Sequence, residues 1–389
     1  MRLLFSVVLL IRVNARAGDV MFTAMPMVAT VTTLQAPNRP APTVRPAIDG
    51  ILAAIEKHPL VGMGDMHGMA QQEDFFAALI RDPRFAKAVG NVVVEFGAAT
   101  HQDILDRYIN GGNVSYTELR SVWSDGVGAV PTITGLGYAN FFVQVRVVNQ
   151  SLPPDQRIRV WLGEPVLDWS NVKTQADINS AMSQRDSYPA SIIKREILAK
   201  GKKALVIYGS GHFNMMPDVP EVFGDLRGLQ SLVEDDYPHA FFVVMPYGGF
   251  AEKACSVAFE QTYGNWPTPA LAFPVRGSSI EDALRKPGCH ASLPTPPIRM
   301  SNKTEAELAK INAKFAMAME NVFSGMNGDA LLYLGPAATL THTPEEPSIY
   351  LDAAYRAEIN RRNQIRGLPL LPEAIPFEST TVSPRPMRP

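Results

Sequence analysis

The stretch Leu60-Val61-Gly62-Met63-Gly64-Asp65-Met66-His67-Gly68 is a short apolar run that ends in a glycine-rich turn carrying an aspartate and a histidine. Much later, Ala204-Leu205-Val206-Ile207-Tyr208-Gly209-Ser210-Gly211-His212 repeats the same grammar. Each reads as a buried parallel strand, with Gly-x-x-His at its carboxyl end and a helix to follow. In an open α/β sheet, ligands bind just beyond the carboxyl ends of the strands. Two strands ending this way therefore bring two imidazoles to one crevice. Asn91-Val92-Val93-Val94-Glu95-Phe96-Gly97 delivers the carboxylate of Glu95 in the same style.

Outward from these runs, strands alternate with helical periodicity. Ile48, Ile51, Leu52 and Ile55 repeat at helical spacing before the first strand. Helices are predicted over Gln71 to Ile80, Thr100 to Ile109, from Thr117 onward, and over 136–150. Arg157 to Leu162 is a further buried strand ending in Gly163-Glu164-Pro165, and Thr174 to Lys200 is helical, with Pro189 starting, kinking or breaking it. Strands 203–208 and 240–246 follow, with a helix around 219–233 between them. This order means βαβ units: an α/β fold with a mostly parallel central sheet and helices on both faces. Beyond residue 250 the pattern loosens, with strands at 271–275 and 330–334 and helices at 305–323 and 352–364.

The domain reading is a core over 46–250, a C-terminal extension over 251–370 packing on it, and a disordered tail over 371–389. A flexible leader spans 18–45. Residues 1–17 have the shape of a signal peptide: Met1-Arg2, an apolar run from Leu3 to Ile11, and the small-x-small pattern Ala15-Arg16-Ala17. That run is too short to span a bilayer. The expected location is therefore periplasmic or secreted, with no transmembrane segment. The two cysteines, Cys255 and Cys289, fit this as one disulfide and fit equally as two buried thiols. A net charge of −2 leaves no nucleic-acid footprint. The expected partner is a small-molecule or peptide substrate.

Only seven histidines are present, so two at matched strand ends form a distinctive pair. Neutral imidazole serves as a general base or as a metal ligand. Asp65 and Glu95 are placed to orient a histidine, take a proton, or share a metal with His67 and His212. Gly64, Gly209, Ser210 and Gly211 allow a substrate close to the backbone. Glu164 and Asp168 lie at the next strand end, where they are cleft carboxylates or solvated loop residues. Arg185-Asp186 reads as an anion clamp with the carboxylate that fixes it, or as a surface ion pair. Glu73, early in the helix after His67, lines the cleft or complements the helix dipole. No Gly-x-Ser-x-Gly elbow, P-loop, His-Glu-x-x-His or dinucleotide fingerprint is present.

The order Gly64-Asp65-Met66-His67, Val93-Val94-Glu95-Phe96-Gly97, Arg185-Asp186, then Lys203-Ala204-Leu205-Val206 leading to His212 resembles the superfamily of erythromycin esterases, ChaN-like haem-uptake proteins and TraB/Tiki proteins. The resemblance covers about residues 45 to 250. It implies a cleft gathering His67, Glu95, Arg185, Asp186 and His212 from strand ends. Asp65 stands where the esterases usually carry Glu, and no arginine closely follows His67 to match theirs. The resemblance implies a hydrolase of an ester, lactone or amide, metal-dependent in the Tiki-like peptidases; the mixed His/carboxylate set of this chain suits Zn, Mn or Fe without choosing between them. The ChaN-like members imply instead a non-catalytic haem- or metal-binding protein. Met63, Met66, Met69, Met215 and Met216 suit haem walls and suit a methionine-rich core equally.

Overall fold

The computed structural model describes residues 39–128, 135–213, 227–290, 303–313 and 328–372. Eight strands form one sheet: β1 (Thr43–Pro46), β2 (Leu60–Asp65), β3 (Asn91–Ala98), β4 (Arg159–Glu164), β5 (Ala204–Gly209), β6 (Phe241–Pro246), β7 (Ala270–Phe273) and β8 (Ala330–Tyr333). Their order is β1-β7-β8-β6-β2-β5-β3-β4. The block from β8 to β4 is parallel throughout, and β7 runs antiparallel to both β8 and β1. The fold is α/β.

Side chains alternate across a strand with a period of two, and both faces of the central strands are apolar. Val61, Met63, Val92, Val94, Phe96, Leu205 and Ile207 join one core. Leu60, Val93, Ala204, Val206 and Tyr208 join another. The first is covered by the helices Ala47–Lys57, Ala70–Arg81, Gln102–Ile109 and Leu136–Gln150, which contribute Ile51, Phe76, Leu105 and Phe142 among others. The second is covered by Ala190, Ile193 and Ile197 and by Leu229 and Val233. Strands sandwiched this way need no polar face, which is why their sequences read as unbroken apolar runs.

The segment from Thr174 to Lys200 is not one helix. A capping box of Thr174 and Asp177 opens a helix over Gln175–Met182, and a second helix starts at Ser187 with Pro189 in its first turn, where a proline lacks no needed N–H. The break leaves Arg185 and Asp186 between the two helices. Strand β4 lies two residues later than the sequence suggests, so Glu164 is its last residue.

Two boundaries change. The leader read over 18–45 includes residues 39–45, which are placed, and Thr43–Pro46 pairs with β7 as the edge strand β1. The segment after residue 250 supplies β7 and β8, which belong to the same sheet as the core. Around them Phe259, Ile280, Leu331 and Tyr333 form a third apolar cluster that includes Cys289. Cys255 and Cys289 are joined in a disulfide with Cα atoms 5.6 Å apart, which settles the choice between a bridge and free thiols. Among the described residues no helix is long and apolar enough to cross a membrane. Residues 1–38, Met215, Met216, most of the helix read around 219–233 and the tail from 373 lie outside the described residues.

Candidate active site

β2, β5 and β3 are adjacent in the sheet, and their carboxyl ends carry Asp65, Gly209 and Glu95. Glu95 lies between Val94 and Phe96, which face the first core, so its side chain points to the opposite face. There it is buried with 1% of its side chain exposed, and both carboxylate oxygens are engaged. Oε2 accepts the Gly209 N–H at 2.6 Å, and Oε1 accepts from Arg185 Nη2. The His67 Nε2 lies 3.4 Å from Oε2, and the His212 Nε2 lies 3.4 Å from Oε1. Two imidazoles thus converge on one carboxylate.

Each imidazole is held at its other nitrogen by an aspartate. His67 Nδ1 lies 3.0 Å from Asp65 Oδ2, and the Tyr138 hydroxyl donates to the same oxygen at 2.6 Å. His212 Nδ1 lies 2.7 Å from Asp186 Oδ1, which also accepts the Leu229 N–H at 2.8 Å. A carboxylate on Nδ1 places the Nδ1 proton there and directs Nε2 at the cleft. Arg185 Nε donates to Glu164 Oε1 at 2.9 Å, and the Val127 N–H donates to Glu164 Oε2 at 3.0 Å. Asp65, Glu95 and Glu164 form a buried floor, and Asp186 (29% exposed), His67 (21%), Arg185 (19%) and His212 (15%) form the layer that solvent reaches.

The packing requires glycine at two places. A Cβ on Gly209 would lie 2.8 Å from His67 Nε2 and 3.1 Å from Glu95 Oε2. A Cβ on Gly163 would meet the Tyr208 hydroxyl at 1.7 Å, well inside contact distance. Tyr208 in turn stacks edge-on against His212 with ring centroids 5.3 Å apart.

The charges set the proton positions. Burial opposes a charged His67, yet Glu95 and Asp65 outweigh it and raise its pKa from 6.5 to about 9. For His212, Glu95 and Asp186 likewise overcome burial and raise it to about 10. Burial alone would raise Glu95, but His212, His67 and Arg185 hold it well below the usual carboxylate range. Burial raises Glu164 above its ordinary value more than Arg185 pulls it down, and Glu95 adds to the rise. Glu73 is buried beneath His67 and Asp65, and burial lifts its carboxyl to about 8.

His67, Glu95, His212, Asp65, Arg185, Asp186 and Glu164 therefore form one connected network. The carboxylates fixing Arg185 are Glu95 and Glu164, while its sequence neighbour Asp186 serves His212. Asp168 is exposed, with its oxygens on Ser170 and Asn171. Ser210 is half-buried and Gly211 exposed beside the network, and Gly64 is buried under it. Tyr138 is not legible as a site residue: it is one of several polar and aromatic side chains on the helix Leu136–Gln150, and no local pattern marks it. His101 pairs with Asp125 at 2.7 Å in a separate cavity of about 520 Å³.

As arranged, these residues do not fit a divalent metal. Both oxygens of Glu95 are already taken by Arg185 and the Gly209 N–H, and a cation among His67, His212 and Arg185 would meet positive charge. Among the described residues no three His, Cys, Asp or Glu side chains are grouped as a metal ion would need. Met63 and Met69 are buried in the first core, so they pack as core residues.

A larger cavity, of about 1060 Å³, lies at the opposite, amino-terminal ends of the strands. Its cations are mostly engaged locally: Arg84 with Asp49 and Asp82, Lys203 with the Ile55 carbonyl, Arg159 with Asp106. Size alone does not make it the reactive site, because no histidine or convergent acid–base pair lines it.

No family model matches the chain, and no curated protein matches it. Three solved structures are similar at low identity. A protein from Bacillus cereus is 9% identical with a TM-score of 0.44, covering 76% of this chain and 95% of its own. The type III effector HopBA1 is 17% identical with a TM-score of 0.33, covering 54% and 88%. ChaN of Campylobacter jejuni, solved with cofacial haem, is 11% identical with a TM-score of 0.29, covering 51% and 85%. These are distant likenesses of fold, and the chemistry of the cleft stands on this chain's own residues.

Proposed function

We propose that the cleft hydrolyses an ester, lactone or amide in a small-molecule or peptide substrate, by acid–base catalysis from His67 and His212. The observation that supports this is the convergence of two aspartate-anchored imidazoles, each by its Nε2, on the one carboxylate of Glu95. His67, the more exposed of the two and braced at Nδ1 by Asp65 and Tyr138, is the base for water. His212, held charged by Glu95 and Asp186, donates its proton to the leaving group. Because the two share Glu95, the values read in a rate profile belong to the pair.

The 3.4 Å separation of each Nε2 from Glu95 is longer than an ordinary hydrogen bond, so either nitrogen can turn to a water or a substrate oxygen. Asp65 and Tyr138 keep the His67 Nδ1 protonated and Nε2 free to accept. A carbonyl attacked by that water gains negative charge, and Arg185 and the protonated His212 stand beside it. Water adds across the scissile bond, giving an acid and an alcohol or amine.

Activity on this reading is alkaline, with its plateau between about 9 and 10. At pH 7 roughly 1% of His67 is in the base form. A panel of aryl esters, lactones and peptides tests this with wild type and His67→Ala, with and without chelator. Turnover lost in His67→Ala and indifferent to chelator is the expected result. No turnover on any substrate, together with a Soret band on haem addition, would replace the hydrolase with a haem binder.

A further inference from the structure

Arg366 follows the helix Ala353–Ile365 and is half-buried. Its Nη2 donates to the Gly128 carbonyl at 2.6 Å. The more deeply buried arginines all have carboxylates: Arg120 with Asp352, Arg185 with Glu95 and Glu164, Arg362 with Asp125 and Glu358. Among the described residues Arg366 pairs with none. A partly desolvated guanidinium without a counter-ion is costly, and that cost is removed when an anion arrives.

Its location says where such an anion would sit. Gly128 follows Val127, whose N–H holds Glu164 Oε2, and the other Glu164 oxygen holds Arg185. Both Glu164 oxygens are therefore hydrogen-bonded elsewhere, and Glu164 compensates Arg366 only through space. Burial and the nearby Arg185 press on the charge of Arg366, and Glu164 offsets them only in part, so the two guanidinium groups feel one another. Arg185 directs Nε at Glu164 and Nη2 at Glu95, which leaves Nη1 for a ligand.

We propose that Arg366 is a specificity residue: with Arg185 it holds an anionic group, a carboxylate or a phosphate, carried by the substrate of the cleft. This rests on the hydrolase reading for its chemistry, but the anion site has a readout of its own. It also gives the C-terminal helix a role, since that helix is tied through Arg361 to the Trp169 and Val172 carbonyls and through Arg362 to Asp125. The helix thereby sets Arg366 at a fixed distance from the strand ends.

Thermal shift with succinate and with inorganic phosphate, on wild type, Arg366→Gln and Arg366→Lys, tests the site without turnover. Stabilisation of wild type that Arg366→Gln loses and Arg366→Lys keeps in part is expected, and the more effective anion assigns carboxylate or phosphate. No stabilisation of folded wild type by either anion, or equal stabilisation of Arg366→Gln, overturns the proposal. Kinetics separate substrate selection from a structural role for the helix cap. On mono-p-nitrophenyl succinate, Arg366→Gln should lose roughly 10- to 100-fold in kcat/KM, while on p-nitrophenyl butyrate it stays within about twofold. Equal losses on both esters would make Arg366 structural and overturn the proposal. Anion binding that follows Arg366 without turnover of either ester would remove the hydrolase reading and leave the anion site standing.

Discussion

The two histidine arms share a grammar in sequence and differ in how they are anchored. His67 takes its carboxylate from Asp65, two residues before it on the same strand end, and a buried tyrosine braces that pair. His212 takes its carboxylate from Asp186, 26 residues earlier, in the break between two helices. Asp65 is almost wholly buried, whereas Asp186 is 29% exposed. The first arm is a local motif on a strand in the middle of the sheet; the second is assembled from separate segments. On the proposed hydrolytic reading this difference suits a division of labour: a base needs a fixed direction toward water, and an acid needs a charge kept in place.

The strongest way to break this comparison is to remove what the arms share. Glu95→Gln should lower kcat/KM by about 10³-fold or more. It should also cost about 3–5 kcal/mol of stability by leaving Arg185 and two imidazoles with less compensation, read by denaturant titration. In the same variant both imidazole resonances should titrate close to the ordinary histidine value. If they still titrate near 9 and 10, Glu95 does not couple the arms.

Anchors come next. Asp65→Asn should reduce kcat roughly 10- to 100-fold and lower the pKa of His67 more than that of His212, and Asp186→Asn should do the reverse. Equal effects on both histidines would dissolve the distinction. Tyr138→Phe keeps Asp65 and removes one hydrogen bond, so a loss of about 1 kcal/mol is expected with His67 still raised.

A pH series sharpens the picture without mutation. Both histidines have folded values above the unfolded 6.5, so the stability they contribute is full below 6.5 and is lost as pH rises through about 9 to 10. Unfolding free energy should therefore fall over that window in wild type and less so in His212→Asn. The same series tests Glu73, over a lower pH window. Its folded value of about 8 lies above the ordinary 4.5, so ionising it opposes folding progressively from pH 4.5 to 8. Glu73→Gln should be more stable than wild type at pH 8 by roughly 1–3 kcal/mol and equal to it near pH 4. Loss of stability instead would mean the charged carboxylate is needed.

What was legible in the sequence follows from the same physics. The strands were visible because burial on both faces leaves an apolar run, as in Ala204–Gly209 and Asn91–Ala98. His67, Glu95 and His212 were visible because strand ends bound by glycine mark the crevice. The Arg185-Asp186 dipeptide was found, but its partners were exchanged, because which carboxylate a guanidinium meets depends on chain segments tens of residues away. Tyr138 and Val127 are hidden for the same reason: one is a hydroxyl on a helix far from the strand ends in sequence, the other a backbone N–H. Strand β1 is not legible in the sequence, because four residues at a sheet edge, exposed or half-buried, carry no periodicity.

The strand order carries a consequence for how the chain is made. β2 lies between β5 and β6, and its register pairs Leu60 with Ala204 and with Phe241. At roughly 5–20 residues per second of synthesis, β2 emerges from the ribosome about 7 to 28 seconds before β5, the earlier of its two neighbours, is made. During that interval a strand apolar up to its terminal Asp65 has no partner, and its unpaired edges are a template for association with other nascent chains. The histidine motif on β2 is thus among the first parts of the cleft to be synthesised and has to wait for its sheet, so yield in expression should depend on chaperone supply and on slower, cooler growth.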